Sequence, residues 1–283
     1  MAAMAVFATL DASAKFVNQS LPMQVAVFFR YGIALLVTTL VLWRYGGWTL
    51  LSSRHPVLQV LRGVFLLSST FSNFFAMHYL QLAEVAAISF TIPLWVCALS
   101  VPLLGEKVGL RRWLAVLVGF CGVLVVMRPG TDSFHWAMLV SLVTALLGAL
   151  YNLTTRKVSG SDNANTSLLY VCLVGTLGAT GPMLANWQTP EGMQWLPLII
   201  MGVAGAIGHF MLIEAHRLSP ASTIAPFIYS QIVWMILAGY LVFGQFPDGW
   251  TLVGAGIVVA SGAYVFNRER RRGVTTNVVN TAD

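Results

Sequence analysis

Charged residues set inside long apolar runs are the first candidates for chemistry. Asp11 and Lys15 stand four positions apart in one such run, with the acid first, and Arg30 sits eight residues into the next. Acid before base at this spacing favours an ion pair along a helix. A charge surrounded by hydrocarbon is costly, so each of the three marks either a ligand contact or a structural lock. If Asp11 neutralises Lys15, Arg30 is left to meet a ligand carboxylate, whose two oxygens fit the planar guanidinium. The alternative is a triad that only ties the two runs together.

Uncharged polar residues inside other runs, Thr91, Asn152, His209 and Gln231, could share a cavity with Arg30. Aromatic rings are frequent nearby: Phe71, Phe74 and Phe75 recur at helical spacing, and Phe90, Trp95, Phe227, Tyr229 and Trp234 fall on two further runs. A cavity walled by rings with a few polar groups accepts amphipathic solutes in several poses. Any single ring fits lipid contact or ordinary packing as well. His78, Tyr79, Glu84, Glu214 and His216 stand near run ends, where, with Lys15, they form gates or structural contacts. An imidazole there could sense pH, and a carboxylate there could cap a helix.

Metal and covalent chemistry find no support. The five histidines (His55, His78, His135, His209, His216) are scattered, and Cys97, Cys121 and Cys172 all lie inside apolar runs. No metalloprotease-type pair of histidines occurs. The chain is expected to be no enzyme and to need no cofactor.

The elements that must hold these residues are helices in a bilayer. With 57% hydrophobic and 9% charged residues over 283 positions, there is too little polar surface to cover a soluble globule. Apolar runs long enough to cross hydrocarbon occur at 1–17, 22–43, 57–80, 83–104, 113–128, 136–156, 167–185, 195–215, 221–243 and 250–266. The expectation is an all-α polytopic membrane protein of ten transmembrane helices. Thirteen of the 16 basic residues, Arg62 among them, collect on one side if both termini are cytoplasmic, as the inside bias of Lys and Arg requires. That bias also explains the net charge of +6 without a nucleic-acid partner. A bacterial inner membrane is the expected location. The stretch "NRERRRG" pins the C-terminus, and residues 271–283 are expected to form a disordered cytoplasmic tail.

The ten runs repeat. "HYLQLA" (78–83) reads against "HRLSPA" (216–221), Trp95 against Trp234, Gly105 against Gly244, and "ATLDASAKF" (8–16) against "ALYNLTTRK" (149–157). Residues 1–130 and 131–270 then form two five-helix repeats. Five is odd, so the second copy enters the membrane inverted, the arrangement of many secondary transporters, with the substrate near the midplane. Small residues on the fifth and tenth helices, Gly119, Gly122, Gly254, Gly256 and Gly262, allow close packing, either as a homodimer seam or as the back wall of each repeat. Pro93 and Pro226 lie inside runs and could bend them.

The passage "LAEVAAISFTIPLW…LLGEKVGLRRWLAVLVGFCGVLVVMRPG" (82–130) resembles the half-repeat of the drug/metabolite transporter superfamily, the EamA-type carriers. The second half departs from the pattern: Gly-Glu has become Gly244-Gln245 and the basic turn is absent. The resemblance implies a carrier for a small polar or amphipathic molecule, as in the YddG-like amino-acid exporters. It thus points to export of amino acids, aromatic and apolar ones included, by alternating access between the repeats. The alternative is uptake of a larger metabolite such as a nucleoside-type cofactor; a channel fits less well, because no filter-like loop or ring of charge occurs.

Overall fold

The computed structural model describes residues 2–46, 51–104, 110–158, 161–218 and 230–279. Every regular element among them is helical: α1 (Ala2–Val17), α2 (Met23–Gly46), α3 (Pro56–Tyr79), α4 (Leu82–Ser89), α5 (Ile92–Leu104), α6 (Leu110–Met127), α7 (Ala137–Val158), α8 (Ala164–Ala185), α9 (Trp195–Leu218), α10 (Gln231–Phe243) and α11 (Gly249–Val279), with one turn of 3₁₀-helix at Gly192–Gln194. Six spans are long and apolar enough to cross a membrane, and three shorter apolar helices add to them. With α1 they give the ten crossings of a polytopic membrane fold.

The expected single span at 83–104 is two helices. Pro93 has no N–H to return to Ser89, and the chain leaves helical form at Phe90 and Thr91. The Thr91 hydroxyl donates to the Ile88 carbonyl at 2.7 Å, which satisfies part of the interrupted ladder. Hydropathy is continuous across the break, so periodicity alone did not reveal it. At the other end α11 runs on to Val279, through residues expected to be a disordered tail; the Arg and Glu of "NRERRR" are strong helix formers.

Packing follows the repeat. Helix α1 lies on α9 as α7 lies on α3; α2 lies on α9 as α8 lies on α3; α2 faces α8 and α6 faces α11. Exchanging the first five spans for the second five swaps the members of the first two pairs and maps the α2–α8 and α6–α11 contacts onto themselves, as a two-fold repeat requires. Small residues let the helices close. A Cβ on Gly63 would overlap Val174, one on Gly202 would overlap Ile33, and Gly175 gives way to the ring of Tyr31. Gly122 and Gly254 meet backbone to backbone, so a Cβ on either would come within 2.9 or 2.6 Å of the other's carbonyl oxygen. These two glycines are used within the chain, where they join the two back walls to each other.

Candidate functional site

Arg30 stands at the centre because α2 is pressed between α3, α8 and α9. Its guanidinium donates to the Thr70 hydroxyl and to the Tyr31 hydroxyl at 3.4 Å. Thr70 and Tyr31 share a 2.7 Å hydrogen bond, and Thr70 also donates to the Leu66 carbonyl. The rings of Tyr31 and Phe74 lie 4.8 and 5.8 Å from the guanidinium carbon, within cation–π range. Its hydrogen-bond partners among the described residues are neutral, so the charge is held in place by dipoles and rings.

Asp11 accepts from Asn73 Nδ2 at 3.4 Å and from Gln231 Nε2 at 3.3 Å, joining α1 to α3 and α10. Both contacts are long, and Arg30 acts on the carboxylate electrostatically. Lys15 takes other partners than the i, i+4 spacing predicts. Its ammonium donates to the Leu80 carbonyl at 2.7 Å and to Gln245 Oε1 at 2.9 Å, and lies 5.3 Å from the Phe243 ring. The carbonyl freed at the end of α3 and an amide oxygen compete for the ammonium better than a carboxylate one turn back.

Between α2, α8 and α9 a cavity of about one water molecule is lined by Arg30, Tyr31, Ala34, Val171, Cys172, Gly205 and His209. Neither ring nitrogen of His209 has a hydrogen-bond partner among the described residues. The imidazole stands edge-on to Phe7 at 5.1 Å and to Tyr151 at 6.3 Å.

Arg62 adds a buried charge that the sequence reading did not single out. The charge bias counts it with the basic residues of one side, and the structure buries it within α3 at 1% exposure. Its guanidinium donates to the Ser167 carbonyl and lies 5.5 Å from the Tyr151 ring. Beside it, Gln59 Nε2 donates to Ser167 Oγ and to Asp162 Oδ2, both at 2.9 Å. Asp162 also accepts from the Ser53 hydroxyl and the Arg54 N–H, which closes the α2–α3 link onto the α7–α8 link. Partial burial pushes the Asp162 carboxyl up, but these hydrogen bonds outweigh it and hold the group below the ordinary carboxylate range.

The opposite face has its own ties. Arg128 and Asp248 form an ion pair of 2.6 Å between the links after α6 and α10. Asp248 caps α11 through the Thr251 N–H at 2.8 Å; burial raises its carboxyl, while Thr251 and Arg128 together bring it below the usual range. Glu84 accepts from the Gln81 N–H and closes a capping box on α4. His78 Nδ1 lies 3.2 Å from the Asn18 carbonyl, and Tyr79 stacks on His135 beside Trp136 and Phe75.

Of the expected binding residues, the structure gathers Asp11, Arg30, Phe74, His209 and Gln231 about α1, α2, α3, α9 and α10. Phe90 and Thr91 are buried at the break in the fourth span. Trp95 packs edge-on to Phe120 in a separate cluster, Asn152 is exposed and returns its amide to the Gly148 carbonyl, and Trp234 is 37% exposed. Phe227 and Tyr229, and the side chains of Glu214 and His216, lie outside the described residues. Tyr31, Gln59, Arg62, Thr70 and Asn73 were not anticipated as site residues. Four of these lie on α3 at separations of three, eight and three, one polar stripe at helical spacing.

The EamA-like transporter family matches the chain twice, over residues 1–128 and 135–267. An S-adenosylmethionine uptake transporter of Rickettsia bellii is 29% identical over 92% of this chain and 89% of its own length. A riboflavin transporter of Vibrio cholerae is 35% identical over 66% of this chain and 63% of its own. The pseudopaline exporter CntI of Pseudomonas aeruginosa is 27% identical over 90% of each. A solved crystal structure superposes with a TM-score of 0.67 over 95% of this chain and 96% of that one, at 18% identity, a likeness of fold.

Proposed function

The chain belongs to the EamA-like transporter family, and from that premise we propose that it moves amino acids, aromatic and apolar ones included, or related small metabolites by alternating access. It is a membrane transporter; the substrate class, the direction and the moving parts are the proposal. Residues 1–130 and 131–270 rock against each other in a bacterial inner membrane with both termini cytoplasmic, and the solute crosses at the centre, where α1–α3 meet α8–α10. The observation that carries this reading is Arg30: a buried guanidinium flanked by two rings, its hydrogen bonds going to hydroxyls. A carboxylate entering there gains a charge-assisted bidentate pair, and an apolar side chain gains the rings of Tyr31 and Phe74. Export of amino acids is the first form of this proposal.

Uptake of a nucleoside-type metabolite is the second, favoured by the names of the S-adenosylmethionine and riboflavin transporters. Purified protein in liposomes, offered labelled phenylalanine, leucine, S-adenosylmethionine and riboflavin in turn, separates them. Saturable amino-acid entry, competed by other amino acids, supports the first reading. Saturable entry of only the nucleoside or flavin supports the second, and entry of none of the four sinks both.

A further inference from the structure

Four charged side chains are buried in the membrane-spanning helices among the described residues: Lys15, Arg30, Arg62 and Asp11. Their counter-charges are placed unequally. Lys15 has Glu84 in electrostatic reach near one face. Asp11 acts on Arg30 while its oxygens accept from the Asn73 and Gln231 amides. Asp162 acts on Arg62 from the other face while its oxygens accept from Ser53, Gln59 and Arg54. Neither guanidinium donates to a carboxylate among the described residues.

His209 and Cys172 line the small cavity beside Arg30; the Tyr151 ring, 6.3 Å from the imidazole, lies 5.5 Å from the Arg62 guanidinium carbon, and both guanidinium groups act electrostatically on His209 and Cys172. Polar atoms here are left open: Arg62 Nε and both ring nitrogens of His209 are buried without partners among the described residues. Buried donors without acceptors are costly, and two buried cations acting on one imidazole in a low dielectric produce a strong field. A ligand bearing negative charge relieves both costs at once.

We propose that the small cavity lined by Arg30, Tyr31, Cys172 and His209, extended through Tyr151 toward Arg62, is the core of an anion subsite. It selects carboxylate- or phosphate-bearing solutes of net negative charge over zwitterions and cations, with Arg62 and His209 as specificity-determining residues. Arg62 lies six residues inside the start of α3, about 9 Å along its axis, just beneath the Gln59–Asp162 tie. Once that tie opens, Arg62 is the first buried cation that a solute meets from this face, and Arg30 is the second. His209, with one donor and one acceptor in its neutral form, lines the cavity beside Arg30. This rests on the reading of the centre as a carboxylate site and narrows it, because a cation such as S-adenosylmethionine is repelled where an anion is held.

The test reads binding, so that it stands apart from transport. The purified full-length protein is titrated with four solutes built on one ring, with the shift in melting temperature as readout: phenylalaninamide, phenylalanine, N-acetylphenylalanine and phenyl phosphate. The acetylated acid or the phosphate should bind at least about tenfold more tightly than the amide, with the zwitterion between. Tight binding of the phosphate alone assigns the subsite to phosphate, and tight binding of the acid alone to carboxylate. Arg62→Gln and His209→Leu should each shrink the preference severalfold, and Arg62→Lys should keep most of it. Equal affinity across the four solutes overturns the subsite even if amino acids are transported; an intact preference overturns the carrier reading alone when liposomes take up none. If Arg62→Gln does not fold, His209→Leu and Arg62→Lys decide, and an unchanged preference in His209→Leu removes that residue from the site.

Discussion

The ammonium of Lys15 and the side-chain oxygen of Gln245 meet at 2.9 Å although 230 positions separate them. The bond ties α1 of the first repeat to the link between α10 and α11 of the second. It uses the position at which the second half exchanges Glu for Gln. Because Lys15 also holds the Leu80 carbonyl, one side chain fastens three segments at one face.

Removing that acceptor should loosen the face. A net hydrogen bond of about 1 kcal/mol corresponds to roughly a fivefold change in population. Gln245→Ala should therefore raise by about that factor the labelling rate of a cysteine placed at the buried position Val17, using a membrane-impermeant maleimide. An unchanged rate would show that the Leu80 carbonyl alone holds Lys15.

Arg30 gives a second prediction. Arg30→Gln keeps a polar donor of reduced reach but removes the charge. Loss of a charge-assisted pair should raise the KM of carboxylate-bearing substrates by about tenfold or more and leave their amides nearly unaffected. Equal losses for acid and amide would reduce Arg30 to a structural lock with Thr70 and Tyr31.

Asp162 predicts a pH dependence. Its folded-state pKa lies below the ordinary value of 3.8, so its contribution to stability is present above about pH 4 and is lost as pH falls through the lower folded value. Melting curves from about pH 6 down to about pH 2.5 should show wild type losing stability more steeply than Asp162→Asn at the acid end. At neutral pH the variant should melt lower by a few degrees. Parallel curves would remove Asp162 from the closed face.

The seam of α6 and α11 predicts a cost without a change of assembly. Overpacking a tight contact costs about 1–3 kcal/mol, and a Cβ on Gly254 meets the Gly122 carbonyl and Val126. Gly254→Val should lower the melting temperature and leave the hydrodynamic size unaltered. A drop in size would place this seam between two chains.

Much of the architecture was legible because a bilayer leaves few choices. Length, hydropathy and an odd repeat specify ten crossings, and the boundaries of α1, α3 and α7 fall within two residues of the apolar runs. The partners of the charges were not legible. Asp11 and Lys15 suggest a pair by spacing, yet their partners, Asn73, Gln231, Leu80 and Gln245, come from distant segments that only tertiary packing assembles. Arg62 sits near the start of its run, where composition cannot distinguish a buried guanidinium from a solvated one. The stripe Gln59, Arg62, Thr70 and Asn73 was the available signal, since polar residues on one helical face inside a membrane are expected to point toward protein or cavity.

The ties at Asp162 on one side and at Lys15, Arg128 and Asp248 on the other are made at the same time. Were each to open independently for about one part in a thousand of the time, a path open at both ends would exist for only about one part in a million. A membrane holding many copies would therefore keep its voltage and its proton gradient. Cells could raise the copy number, and with it the flux, with little added electrical leak.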